Sequence, residues 1–291
     1  MKKGHPLAIK KFIIFLVMVV ILGIVLIILS ELKPVTESKK NDVAKIPKEI
    51  KKILIHASPS ATFRVPILLY HYVEYIKDKK DTTRELLNIH PKIFDEQLKT
   101  LSDAGYTFMT ISDVADVLND KIPLPPKPVV LTFDDGHWDL YTDILPILQK
   151  YHAKATAYIV SGFIDKSDFL SSIQLKKVID SGLVEIGAHT VHHIGLANKL
   201  IATVKYEVGS SKQQLEDTYN LHIVSFAYPG GSFDQKAIDV VKDSGYETAV
   251  STVPGIQQSQ NNKYFLYRIR PGNRTGDVLL KFLEQEHIGL K

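Results

Sequence analysis

The stretch Pro128-Val-Val-Leu-Thr-Phe-Asp-Asp-Gly136 joins an apolar run to two adjacent carboxylates and a glycine. The apolar residues, rich in valine, predict a buried strand, and Asp-Asp-Gly predicts the turn that ends it. An Asp-Asp-Gly turn is common, so by itself it only suggests a functional site. Its position at the end of a buried strand makes both carboxylates candidates for chemistry.

Short apolar runs alternate with amphipathic stretches on both sides of this strand. The predicted strands are 65–71, 128–133, 154–160, 183–189 and 223–228. The predicted helices lie between Pro91 and Gly105 and over about 140–151, 172–181, 203–219 and 234–244. This order favours an α/β fold with a parallel sheet, either closed as a barrel or open and doubly wound. In both cases the chemistry gathers at the carboxyl ends of the strands.

The second candidate motif is His189-Thr-Val-His-His193, which has two imidazoles four positions apart. This spacing recurs in metal sites, although two surface or hydrogen-bonded histidines would look the same. Together with one carboxylate of the Asp-Asp pair, these histidines would leave metal positions open for water and substrate. The other carboxylate could then act as a base. The chain has no cysteine, so only His, Asp or Glu could hold a metal.

These two motifs resemble those of the polysaccharide deacetylases of carbohydrate esterase family 4, the NodB-homology group. Thr132-Phe-Asp-Asp-Gly136 is similar to the family's TFDDG motif, and residues 189–193 are similar to its H-[ST]-x-x-H motif. The resemblance spans about 65–280. It implies a distorted (β/α) barrel that hydrolyses N-acetyl groups of an N-acetylglucosamine-containing polysaccharide. It also implies that Asp134 is the general base and that Asp135, His189 and His193 bind a divalent metal, for which zinc is expected.

The chain departs from the family in its third motif, Phe226-Ala-Tyr-Pro-Gly-Gly231. Ala227 stands where the common form, R-P-P-Y-G, has the arginine that orients the base. Arg268 and Arg270 are candidates to replace it, although a surface position is the more common interpretation for both. Gly230 occupies the position whose backbone N–H faces the developing oxyanion in the family.

The family's late leucine-x-histidine motif, which supplies the general acid, is missing. The motif layout is similar to that of the biofilm poly-N-acetylglucosamine deacetylase branch, in which an equivalent histidine stands near the start. His71 matches that variant, so we expect it to be the general acid; the alternative is a histidine hydrogen-bonded at the barrel rim. His192 lies inside the second motif but at no ligand position, and we interpret it as structural.

Residues 12–29 form an uncharged, almost wholly apolar run of 18 residues. Such a run nearly spans a ~30 Å hydrocarbon core. Four lysines precede it, which indicates a cytoplasmic N-terminus by the positive-inside rule. The alternative, a cleaved signal peptide, would end in a small-residue cleavage site that the run lacks.

The predicted organisation has four parts, and the predicted location is the cell membrane, single-pass, with the catalytic domain extracytoplasmic. The parts are a cytoplasmic tail (1–11), one transmembrane anchor (12–30), an extracytoplasmic linker (31–62) and the deacetylase domain (63–291).

The distribution of charge argues against a nucleic-acid partner. Residues 1–52 carry 11 lysines and 4 acidic residues, so the remainder has 25 basic against 28 acidic residues. A nucleic-acid-binding domain would concentrate basic charge on its folded part. The predicted partners are therefore an N-acetylated polysaccharide and, through the N-terminal helix, the membrane. Two rival functions remain open: an O-acetyl esterase acting on a polysaccharide, and a carbohydrate-binding protein with impaired catalysis.

Overall fold

The computed structural model describes residues 61–76 and 80–285, and the alternation of strands and helices is confirmed there. The strands are β1 (Thr62–Arg64), β2 (Ile67–Tyr70), β3 (Thr107–Met109), β4 (Pro128–Phe133), β5 (Ala155–Ile159), β6 (Val184–Ala188), β7 (Ser225–Ala227), β8 (Thr248–Pro254), β9 (Gln257–Ser259) and β10 (Leu266–Arg268). The helices are α1 (Thr82–Leu87), α2 (Pro91–Asp103), α3 (Ile111–Leu118), α4 (Leu145–Tyr151), α5 (Ser172–Asp180), α6 (Ile201–Lys205), α7 (Ser211–Tyr219), α8 (Gln235–Asp243) and α9 (Gly276–Glu284). One π-helical turn, Leu140–Ile144, leads into α4, and a second, Tyr206–Ser210, joins α6 to α7.

The parallel strands form a closed barrel of the distorted (β/α) type, as predicted. They pair in the order β2-β4-β5-β6-β7-β8-β10, with β3 also paired to β4. Closure occurs just after β10, where Ile269 donates its N–H to Ile67 O and accepts from Leu69 N, both at 2.9 Å. The sheet is therefore not an open, doubly wound one. The pairing of β10 with β8 shifts register between Leu266 and Arg268, which makes the barrel irregular.

The ends of helix α2 coincide with residues that favour helix termini. His90 caps α2, Pro91 takes its first turn, and Gly105 follows its end with φ +73°. The apolar face of α2, which includes Phe94 and Leu98, is fully buried in the main core. The helices thus cover the outside of the barrel and leave the carboxyl ends of the strands to the loops.

Within residues 61–76 and 80–285, no helix is long and apolar enough to cross a bilayer. The predicted cytoplasmic tail and the predicted anchor at 12–30 lie outside the described residues, as does nearly all of the predicted linker. Strand β1 begins at Thr62, the last residue of that linker.

Candidate active site

The predicted site residues follow directly after parallel strands, at one end of the barrel. His71 follows β2, Asp134 follows β4 and His189 follows β6. Two backbone hydrogen bonds hold neighbouring strand ends together: Asp134 N donates to Tyr70 O, and His189 N donates to Ile159 O, each at 3.0 Å. Barrel closure therefore assembles these side chains at the end where (β/α) barrels carry their chemistry.

Asp135, His189 and His193 form one cluster. The Asp135 Oδ1 atom lies 3.3 Å from His189 Nε2 and 3.0 Å from His193 Nε2. One ligand atom from each residue lies within 4.8 Å of the other two. The His189 side chain is buried whereas that of His193 is 38% exposed, so the cluster has one closed side and one side open to solvent.

The hydrogen bonding around this cluster fits a bound cation. His189 Nδ1 lies 2.7 Å from Ala227 O and donates its proton there, which leaves the Nε2 lone pair facing Asp135. The buried Asp135 Oδ1 atom has no hydrogen-bond partner among the described residues. Two acceptors thus face each other with no proton between them. Two imidazole nitrogens and a carboxylate oxygen are a donor set that suits a divalent ion such as zinc.

The charges within the cluster follow from its geometry. Burial raises the pKa of Asp135, but the neighbouring imidazoles of His137, His189 and His193 outweigh burial and hold it below its usual range. Asp135 in turn raises the pKa of His193. Asp135 is therefore ionised at neutral pH, as a metal ligand must be.

Asp134 lies in a different environment, paired with Arg268. The guanidinium donates from Nη1 to Oδ1 and from Nη2 to Oδ2, each at 2.7 Å. It also donates to Thr132 Oγ1 at 3.1 Å and to Ser251 O at 2.8 Å. The Arg268 side chain is 0% exposed. The interpretation of Arg268 as a surface residue is therefore wrong, because its four hydrogen bonds satisfy a guanidinium inside the barrel; Arg270, by contrast, is exposed.

Arg268 also decides the charge of Asp134. Burial by itself raises the pKa of Asp134, but the charge and hydrogen bonds of Arg268 override it and hold that pKa below its usual range. Arg268 thus takes the place of the arginine that Ala227 replaces. The two adjacent carboxylates have separate partners, an arginine for Asp134 and imidazoles for Asp135.

His71 is partly buried at the end of the barrel that carries both carboxylates. Burial lowers the pKa of His71, while the charges of Asp134 and Asp135 oppose this effect. The position of His71 at the end of β2 is the one predicted for it.

Gly230 lies after β7, in a 3-10 turn formed by Pro229–Gly231. It has φ +59° and is exposed, and a Cβ built on it would meet nothing within 4 Å. The space around it is therefore open. The next residue, Gly231, has no such freedom, because a Cβ there would lie 1.9 Å from Thr252 Oγ1.

Sequence reasoning missed two residues next to the site. His137, directly after the Asp-Asp-Gly turn, has Nε2 3.4 Å from Asp135 Oδ2 and Nδ1 3.1 Å from Asp168 O. Its ring stacks between those of Tyr72 and Phe169. The second is Glu207, whose carboxylate lies 2.7 Å from His192 Nδ1. The sequence does contain a clue to Glu207: it lies on the buried face of the helix predicted over about 203–219, and a carboxylate at a buried position needs hydrogen-bond partners.

A groove of about 630 Å³ is lined in part by Trp138, the residue after His137, and by Asp168, whose carbonyl oxygen lies 3.1 Å from His137 Nδ1. Two of its aromatic side chains face solvent, Trp138 at 38% and Tyr75 at 55% exposure. The full lining is Glu74, Tyr75, Asp81, Arg84, Trp138, Thr142, Asp143 and Asp168. Aromatic faces beside carboxylates are suited to the apolar and hydroxyl surfaces of a sugar ring.

Together, this barrel and its strand-end site define a (β/α)-barrel hydrolase with a candidate Asp-His-His metal centre. Residues 121–249 match the family model described as "Polysaccharide deacetylase". The chain is 28% identical over 223 residues to the putative polysaccharide deacetylase YxkH of Bacillus subtilis, covering 76% of each chain. It is 26% identical over 201 residues to a poly-beta-1,6-N-acetyl-D-glucosamine N-deacetylase of Staphylococcus aureus, covering 65% of this chain and 69% of that one.

Solved structures agree with the sequence comparisons. The Streptococcus pyogenes deacetylase PplD superposes with a TM-score of 0.71 at 29% identity, covering 78% of this chain and 100% of that one. The chain is therefore similar to polysaccharide deacetylases, hydrolases that act on N-acetyl amide bonds, and its residues 121–249 match the model of that family.

Proposed function

We propose that this protein hydrolyses N-acetyl groups on a cell-surface or extracellular N-acetylglucosamine-containing polysaccharide, releases acetate and depends on a divalent metal. One observation carries the proposal: Asp134, clamped by Arg268, stands next to Asp135 in a cluster with His189 and His193. This arrangement separates a carboxylate for proton transfer from a carboxylate for metal binding.

Each residue of the site then has one task. A divalent ion on Asp135, His189 and His193, zinc in this proposal, supplies polarisation of the acetyl carbonyl and a lower pKa for water. Asp134, kept ionised by Arg268, accepts the proton of the attacking water. The backbone N–H of Gly230 faces the carbonyl oxygen as negative charge develops on it.

His71 is the general acid in this proposal. An amine is a poor leaving group unless it is protonated as the C–N bond breaks, so amide hydrolysis needs a proton donor. His71 directly follows β2 at the barrel end, and the charges of Asp134 and Asp135 raise its pKa against the effect of burial. An ester with a good leaving group would need this proton far less.

The substrate class is supported by the groove beside the site and by the relatives. Trp138 and Tyr75 expose aromatic faces on which sugar rings can stack, so the groove suits a glycan longer than one residue. The Staphylococcus aureus relative is by name a deacetylase of poly-beta-1,6-N-acetyl-D-glucosamine. That polymer is the first substrate to test.

Metal and acetate measurements on variants test the proposal. His189→Ala or His193→Ala should lose bound zinc and activity together, whereas Asp134→Asn should keep the zinc and lose activity. Full activity in a metal-free preparation would end the proposal of metal dependence. Loss of zinc from Asp134→Asn would mean that the two carboxylates have the opposite roles. Release of acetate from O-acetylated but not from N-acetylated glycans would favour the esterase instead.

We also propose that residues 12–30 anchor the protein in the cell membrane with the catalytic domain outside. The 18-residue apolar run and the lysines before it support this topology. External protease added to intact cells should digest the catalytic domain and leave a short anchored stub. A domain that resists protease until the cells are lysed would contradict this topology.

A further inference from the structure

Glu207 is a buried carboxylate beside the loop that carries both histidines of the cluster. It lies in the π-helical turn Tyr206–Ser210 and is 3% exposed. Its neighbours one helical turn away, Val204 and Ser211, are fully buried, so Glu207 points into the protein rather than to solvent. Single π-helical turns within α-helices are frequent at functional sites.

The Glu207 carboxylate forms hydrogen bonds with three groups of this loop. Its Oε2 atom accepts the backbone N–H of Val191 and that of His192, both at 2.9 Å. Its Oε1 atom lies 2.7 Å from His192 Nδ1. A buried carboxylate with these partners fixes two of the four peptide groups between His189 and His193.

The same loop is held from its other side by backbone groups. Ser161 N donates to Thr190 O and Gly162 N donates to Val191 O, both at 3.1 Å. The approach at Gly162 is so close that a Cβ there would lie 2.4 Å from Val191 O. The loop is therefore clamped between a carboxylate and a glycine-containing turn.

The clamp holds a backbone that would otherwise relax. Thr190 has φ +67° and His193 has φ +54°, both in the left-handed region that non-glycine residues avoid. Such conformations are unfavourable for non-glycine residues and persist only when the surrounding structure over-determines them. Without the clamp, His193 Nε2 would no longer be fixed at its present 3.0 Å from Asp135 Oδ1.

We infer that Glu207 is a positioning residue that sets the affinity of the Asp135–His189–His193 cluster for its metal. This inference rests on the proposed metal site and concerns a residue that touches neither the metal cluster nor the groove. Groups that orient metal ligands typically contribute about 10–100-fold to metal affinity. The loss should appear in metal binding itself, before any substrate is present.

The experiment is a calorimetric titration of Zn²⁺ into the metal-free full-length protein and its variants. Glu207→Ala should raise the Kd for Zn²⁺ by about 10–100-fold, and activity should return at saturating Zn²⁺. Glu207→Gln keeps an oxygen that can accept both backbone protons, so it should recover most of the affinity. If Glu207→Ala does not fold, Glu207→Asp serves in its place, because its shorter side chain cannot span the same three partners.

Glu216→Ala is the matched control. Glu216 lies on α7 and also accepts a backbone proton from a following loop, that of Ile223 N at 2.8 Å. Its replacement should lower the melting temperature without changing the Kd for Zn²⁺. A Kd for Glu207→Ala or Glu207→Asp close to that of wild type would overturn the inference, as would an equal loss in Glu216→Ala. If wild type itself binds no Zn²⁺, the proposed metal site fails, and the role of Glu207 fails with it.

Discussion

Replacing Arg268 by methionine would leave the Asp134 carboxylate buried without its guanidinium. The substitution removes two charge-assisted hydrogen bonds at 2.7 Å and two further ones to Thr132 and Ser251. Methionine has a similar volume, so the main cost is the uncompensated charge rather than a cavity. Removing one partner of a buried ion pair costs roughly 3–5 kcal/mol. For a folded unit of this size, that lowers the melting temperature by about 6–20 °C.

The same change should remove the base. Burial alone raises the pKa of Asp134, and Arg268 is the main group that opposes it. In the variant the pKa of Asp134 should rise and a smaller share of this carboxyl should be ionised to act as the base, so we expect kcat to fall by about 10²–10⁴. Activity should recover in part as the pH rises and Asp134 ionises. Rates of acetate release across the pH range, together with thermal unfolding, check both expectations.

Two further variants make this test specific. Arg270→Met removes an exposed guanidinium two positions away and should cost little stability. The double variant Asp134→Asn with Arg268→Met should be more stable than the sum of the two single changes predicts, because neither charge is then left alone. An Arg268→Met protein that melts within a degree or two of wild type and keeps its rate would refute the reasoning.

Three other predictions concern single residues at or near the site. His71→Ala should lower kcat on N-acetylglucosamine oligomers by about 10²–10⁴ while the zinc content stays normal. The same variant should cleave an activated aryl acetate at a rate closer to that of wild type. Turnover of the oligomers within a few-fold of wild type would mean that His71 is structural. Burial raises the pKa of Asp139 to about 6, so its carboxyl binds a proton more tightly in the folded than in the unfolded state. The free energy of unfolding should therefore fall by about 3 kcal/mol as the pH rises from roughly 4 to 6. Denaturant titrations should show this fall in wild type but not in Asp139→Asn. A difference in free energy of unfolding between the two proteins that does not change with pH would contradict the prediction. Trp138→Ala should raise the KM for N-acetylglucosamine oligomers about ten-fold, equivalent to ~1.4 kcal/mol, with little change for a small aryl acetate; an unchanged KM would remove the groove from substrate binding.

The sequence alone determined five of the ten strands in the described residues and the polar residues that follow them. Strand β4 has the predicted bounds, and β2, β5, β6 and β7 lie within their predicted ranges. These segments are readable because an apolar run reports local burial, and the carboxylates and imidazoles interrupt that run where the strand ends. The metal cluster was predicted for the same reason: each of its members lies in, or directly after, a recognisable motif.

Only the tertiary structure decided how these segments close and which distant groups meet. Ile269 completes the barrel by pairing with β2, although in the sequence it stands between two arginines. Arg268 and Asp134 are 134 positions apart, and nothing near Arg268 distinguishes a buried arginine from an exposed one. The clamp by Glu207 depends likewise on where a helix packs against a loop. Local periodicity reflects whether a residue is buried, whereas the partner of a buried charge is set by the closure of the whole barrel.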